Sequence, residues 1–333
     1  MASARIAIPA DLLVDSFVDR DRSARIVRWA GATMGTTWSV TIAAPRDCDQ
    51  APLSAGIQAQ LDDVVAQMSN WDADSDISRF NRTPPGTWQS LPPAFAHVLA
   101  AGLDVASASS GAFDPAIGRL VDNWGFGPGG IAALAKTPAA AVPQATPAFR
   151  SIELDGARVR RLADVHLDFS GIAKGHGVDA VAAFLRDAGI RNFLVEVGGE
   201  LHGAGVKPDG QPWWVDLEVP PGLTIAPMRV ALCGLSVATS GDYRRFVTRN
   251  GAHWSHSMDP RTGRPVGNAI RSVSVLHQSC MMADAWATAL LVLGVEEGLR
   301  HAARHDLAAY MVTQGTAGAR EWMSPALADM LAD

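Results

Sequence analysis

The chain has 333 residues, of which 48% are apolar and 19% charged, with a formal net charge of −6. Such a length supports one large domain or two ordinary ones around a sizeable core. The acidic balance, with no basic run longer than two residues, argues against a nucleic-acid binder. Cys48, Cys233 and Cys280 are too few and too far apart for a disulfide framework or a zinc site, and they read as free thiols. No apolar run is long enough to span a membrane. Asp11, Asp15, Asp19 and Asp21 interrupt the N-terminus where a signal peptide needs an apolar core. The expected location is the cytoplasm, or the periplasm if a leader has been removed.

Residues 1–27 read as an N-terminal arm or peripheral helix, ahead of one domain over 28–333. "TWSVTIAA", from Thr37, alternates as a strand. Ser54 then reads as the cap of a helix carrying Ile57, Leu61, Val64, Val65 and Met68 at helical spacing. "WDADSDISRFNR" reads as a loop. A second helix runs through Phe95, Val98, Leu99, Gly102 and Ala106 and stops at Ser109–Gly111. The Gly-, Pro- and Ala-rich stretch 127–149 reads as a flexible connection or a domain boundary, enclosing a short helix. "SIELDGARVRRL" carries a hairpin turn at Asp155–Gly156. Next comes a helix burying Val178, Val181, Ala182 and Leu185, which Gly189 ends. "NFLVEV", "WWVDLEV", "RVALCGLSVAT" and "SVSVLH" read as strands. Helices follow from about Ala283 to Leu293 and from Glu296, and "AAYMVT" closes the chain as a strand. Strands arrive as hairpins and runs rather than alternating with helices. The pattern predicts an α+β fold of largely antiparallel sheets packed with helices. No internal repeat is evident.

Four segments carry more chemistry than a core or a turn requires. "DFSGIAKG", Asp168–Gly175, is neither a Walker A loop nor a dinucleotide fingerprint. Gly171 and Gly175 let backbone approach a ligand, the helix start offers N–H groups to phosphate, and Lys174 adds a charge. It also reads as an ordinary strand-to-helix turn. "SHSMDPRTGRPVG", Ser255–Gly267, packs His256 among charged residues, Pro and Gly. His253 and His256 form HxxH, but no third ligand at a zinc spacing supports them. In "ADAWATALLVLG", Asp284 and Thr288 share a helix face at i and i+4, an oxygen-only pair suited to Mg²⁺. Asp284 reads equally as a cap near the helix start. In "SSGAFDPAIGRLVDNWGFG", Phe113 and Trp124 beside glycines suit either a wall for a flat ring or a packed loop. "DADSD" at Asp72–Asp76 imitates a calcium loop but has Ile77 where glycine is required.

These pieces, with "TMGTTWSV", "MSNWDADSDISRFNR", "VEVGGELHGAG" and "ATSGDYRRF", follow one another in an order and spacing that resembles the ApbE family, the FAD:protein FMN transferases. The resemblance runs from about Arg28 to Thr313. It implies a T-fold-like architecture. It also implies Mg²⁺-dependent cleavage of the FAD pyrophosphate, transfer of FMN through a phosphoester to a Thr or Ser of an acceptor flavoprotein, and release of AMP. By matching motif positions it implies FAD contacts at Met34, Trp71, Ala112, Phe113, Asp114, Asp168, Lys174 and His256. The metal would fall to Asp284, Thr288 and the carbonyl of Gly171, with the Ala173 carbonyl as an alternative. Asp284, Lys174 and His256 are the expected catalytic residues, His256 as general base or phosphate donor. An FAD pyrophosphatase and a non-catalytic flavin binder are the competing readings. Two departures stand out: no lipobox cysteine lies near the N-terminus, and His176 stands where the family often has an aromatic.

Overall fold

A computed structural model describes residues 5–9, 17–130, 147–241, 246–249, 252–315 and 318–331. Its frame is an eight-stranded sheet formed by Arg25–Thr33, Thr36–Ala44, Phe193–Val197, Glu200–Ala204, Leu235–Gly241, Ile270–His277, Ala308–Gly315 and Gly318–Met323. These strands lie side by side in chain order, and each pairing is antiparallel. The sheet is thus a meander, interrupted by long insertions. Each half repeats one plan: two strands, a helical insertion, then two more strands. That recurrence of topology has no counterpart in repeated sequence.

Alternation along the strands sends side chains to two cores. On one face Val40, Val195 and Val197 meet Ile57, Leu61, Val178 and Val181. Further along that face, Ala238, Val273, Val275 and Met311 meet Ala283, Ala287 and Leu290. Two helices therefore lie side by side there, Ala173–Asp187 (the Lys174 helix) and Cys280–Leu293 (the Asp284 helix). On the other face Val237, Leu276, Tyr310 and Val312 pack against Trp213, Met228 and Val230 of a three-stranded sheet.

The antiparallel α+β expectation holds, and several local readings change. Residues Arg5–Ala7 are a strand paired in parallel with Met228–Leu232, so this part of the N-terminus is integrated into a sheet. The first helix spans Gln50–Met68 and is capped by Asp49, whose side chain accepts the Ala51 N–H, leaving Ser54 inside it. The stretch read as a loop contains a helix, Asp76–Arg82, capped by Ser75. "RVALCGLSVAT" is two strands in different sheets, separated at Cys233–Gly234, where Gly234 has φ 75°. The helix expected at Ala283 begins at Cys280, and a final hairpin strand and short helix follow Ala308–Gly315. The short helix expected within 127–149 falls largely on 131–146, outside the described residues. All three cysteines are free thiols.

Candidate active site

These two neighbouring helices meet through glycine. A Cβ on Gly175 would stand 2.3 Å from the Cys280 carbonyl oxygen, so only glycine permits this approach. The contact lets the Gly175 N–H donate to Asp284 Oδ2 at 3.1 Å. Asp284 is 3% exposed, and a carboxylate so buried requires compensating polar partners. It is not a cap: Ser279 fills that role, accepting the Met282 N–H at 3.3 Å. Thr288, one turn further, lies 3.1 Å from Ser240 Oγ through its Oγ1. A Cβ on Gly171 would lie 3.0 Å from that same Thr288 oxygen and 3.4 Å from the Phe113 ring. Gly171, Asp284 and Thr288 thus come together from segments more than a hundred residues apart.

The lysine is held from the sheet. Lys174 Nζ pairs with Glu200 Oε1, and Glu200 is 1% exposed at the start of its strand. The Gly198–Gly199 turn presents that glutamate, and Glu196 Oε1 accepts the Gly199 N–H at 2.8 Å. The start of the Lys174 helix is less open than the sequence reading supposed. The Ala173 N–H donates to Phe169 O and the Gly175 N–H to Asp284, so two first-turn amides already have protein acceptors.

Around this centre some loops are joined by hydrogen bonds and others by packing. Asp168 donates its N–H to Pro115 O at 2.8 Å, and its Oδ1 accepts the Ser170 N–H at 2.8 Å. Asp114 is buried, and its carboxylate accepts from Ala116 N at 2.8 Å and Phe149 N at 3.1 Å. Burial outweighs these bonds and raises its pKa to about 6. Its carboxylate therefore organises the loop that holds buried Ala112 and Phe113. Met34, in a hairpin turn with φ 48°, places its Cε 3.1 Å from where a Gly177 Cβ would be, against the Lys174 helix. Asn70 and Asn81 both donate to Leu167 O, at 3.3 and 2.9 Å, which brings the segment bearing Trp71 to the Asp168 loop. Trp71 itself is 65% exposed, a large apolar face turned to solvent. His256 meets Phe126 edge-on, with ring centroids 6.5 Å apart. The insertion bearing it leaves the sheet just after Ser240. The His253 side chain lies outside the described residues. His176 faces His97, ring centroids 6.4 Å apart, and burial lowers its pKa.

Asp284, Thr288, Ser240 and the Gly171 backbone offer oxygen donors only, which fits a hard cation such as Mg²⁺. Among the described residues no group of three or more His, Cys, Asp or Glu could hold a metal. A cation here would therefore depend on a hydroxyl, carbonyls and ligand phosphates beside one carboxylate. Sequence reasoning missed Ser240, Glu200 and Asp179. All three act through partners distant in the chain.

The ApbE family model matches residues 34–311. The chain belongs to the ApbE family. Among its relatives is the FAD:protein FMN transferase of Vibrio cholerae, 34% identical over 91% of this chain and 92% of that one. The FAD:protein FMN transferase of Haemophilus influenzae is 34% identical over 87% of each chain. The crystal structure of the Pseudomonas stutzeri flavinyl transferase ApbE superposes with a TM-score of 0.82, at 34% identity, covering 93% of this chain and 98% of that one. The ApbE match spans every segment described above, from Met34 to Thr288.

Proposed function

We propose that this ApbE-family chain is an FAD:protein FMN transferase that moves FMN from FAD to a Thr or Ser hydroxyl of an acceptor flavoprotein and releases AMP. The observation that carries the reading is the meeting of Asp284, Thr288 and Gly171 beside Lys174, within a chain that matches FAD:protein FMN transferases over most of its length. The acceptor oxygen attacks the FMN-side phosphorus. The bond from that phosphorus to the bridging oxygen breaks, and AMP departs with the bridging oxygen. The hydroxyl proton passes to a base, for which His256 is the candidate.

Positioning and charge stabilisation dominate such transfers. Lys174 carries the positive charge toward the pyrophosphate, and Glu200 holds that charge in place. Met34, Trp71 and Phe113 supply apolar surface for the isoalloxazine, the soft thioether of Met34 suiting an aromatic face. Asp114 and Ala112 shape the loop behind Phe113, and Asp168 shapes the turn into Gly171. Asp284, Thr288 and the Gly171 carbonyl would hold Mg²⁺. When bound, Mg²⁺ neutralises charge on the phosphoryl oxygens.

Replacing Asp284 with Ala should lower Mg²⁺-dependent AMP release from FAD by about 100-fold or more. The check is chromatography of AMP at limiting and saturating Mg²⁺. Wild-type turnover of the variant at limiting Mg²⁺ would sink the metal assignment.

A further inference from the structure

Asp179 lies four residues beyond Gly175, so both occupy the face of the Lys174 helix that meets the Asp284 helix. Its Oδ1 accepts the Cys280 N–H at 2.8 Å. Its Oδ2 accepts the Ser279 hydroxyl at 2.7 Å and the Met281 N–H at 3.0 Å. One carboxylate therefore grips the cap residue and the first two amides of the neighbouring helix, where the helix dipole also favours negative charge. Ser279 completes the turn by capping Met282. Asp284 stands four residues after Cys280, and Thr288 four after that, on the same rigid rod. The Gly175 contact sets how closely the helices approach, and the Asp179 grip sets how far one slides or rolls against the other. Hydrogen bonds to a helix end are directional, so they resist sliding more than apolar packing does.

We infer that Asp179 is a positioning residue for FMN transfer, fixing the Asp284–Thr288 pair against Lys174 without touching FAD or the metal. The inference rests on the metal reading of Asp284 and Thr288. Loosening the grip displaces donors that must stay within a few tenths of an ångström, as small misplacements in such sites weaken binding strongly.

The test uses the full chain with FAD, and measures Mn²⁺ binding by electron paramagnetic resonance alongside the Mg²⁺ dependence of AMP release. The variants are Asp179→Ala, Asp179→Glu, Asp284→Ala and, as a stability control, Leu185→Ala, a fully buried site on the same helix. Asp179→Ala should raise both the Mn²⁺ dissociation constant and the half-saturating Mg²⁺ by about 10-fold, with kcat at saturation within about threefold. Asp179→Glu should recover part of the affinity. Leu185→Ala should lower the melting temperature but leave metal affinity unchanged. Should Asp179→Ala fail to fold, Asp179→Asn, which keeps one acceptor oxygen, takes its place. Metal affinity in the Asp179 variant equal to that of the Leu185 variant would overturn the inference. Unchanged metal affinity in Asp284→Ala would instead overturn the metal reading beneath it.

Discussion

Lys174 and Glu200 illustrate how one residue joins binding to stability. Glu200 is almost completely buried, and removing its cationic partner leaves a charge in a poorly solvated place. Lys174→Ala should therefore destabilise the fold by about 3 kcal/mol, the range found when one member of a buried pair is lost. The double variant Lys174→Met, Glu200→Gln should regain most of that loss, because a neutral amide is far cheaper to bury than a carboxylate. FAD cleavage should stay low in both, since the double variant restores no charge to the pyrophosphate. Denaturant unfolding with AMP release on the same samples separates the two effects. A double variant as unstable as the single one would mean that the ion pair is not the source of the loss. Lys174 was legible in the sequence as a single cation in a Gly-rich turn. Glu200 was not, because its role depends on a helix residue twenty-six positions away.

Among the elements, the contact of the Lys174 and Asp284 helices is the one on which the proposed metal site rests. Gly175→Ala drives a methyl into the Cys280 backbone, which cannot rotate away as a side chain could. The helices must separate, which also stretches the Gly175 N–H to Asp284 bond. A loss of about 2 to 3 kcal/mol is expected from overpacking, together with weakened Mg²⁺ dependence. Thermal unfolding and a Mg²⁺ titration check both, and a fully stable variant with wild-type Mg²⁺ response would contradict this account of the interface. Element by element, strands and long helices were readable from periodicity. The errors fell at ends and short pieces. Asp49 outcompeted Ser54 as a cap because Pro52, tolerated in a first turn, let the helix start earlier. The Asp76–Arg82 helix was hidden by its density of aspartates, although Ser75 followed by Ser78 was a cap signal. The break at Cys233–Gly234 was hidden in an apolar run because one glycine suffices for it.

For the whole molecule, the meander sheet brings together the candidate site from Met34, Phe113, Asp168–Gly175, Ser240 and Asp284–Thr288, segments that no local window connects. The order of motifs made most of these positions legible. The pairings between them were not, since the duplicated topology that brings the two helices together leaves no repeated sequence. Burial also gives the fold two opposed acid responses. His202 is 3% exposed, with Ser236 Oγ 2.8 Å from Nδ1 and Arg186 2.7 Å from Nε2. Desolvation, reinforced by the Arg186 charge, lowers its pKa from 6.5 to about 4. A depressed pKa contributes stability above pH 6.5 that is lost as pH falls toward 4. Asp114 has the opposite sign: its pKa is raised from 3.8 to about 6, so its contribution is present below pH 3.8 and lost as pH rises through 6. The two largely offset each other during acidification. His202→Gln removes one side of the balance, so its melting temperature should gain on wild type as pH falls from 7 to 4. Melting curves that stay parallel across that range would show that His202 is not held neutral by the fold.

The activity proposed for this protein is transfer of FMN to a protein hydroxyl. Its most direct measurement is incubation of this protein with FAD, Mg²⁺ and a Thr-bearing acceptor flavoprotein, followed by intact mass of the acceptor and quantification of AMP. The acceptor should become heavier by one FMN-phosphoryl group, with AMP released in equal amount and both lost in the Asp284→Ala variant. Free FMN and AMP beside an unmodified acceptor, or FAD left intact, would contradict it.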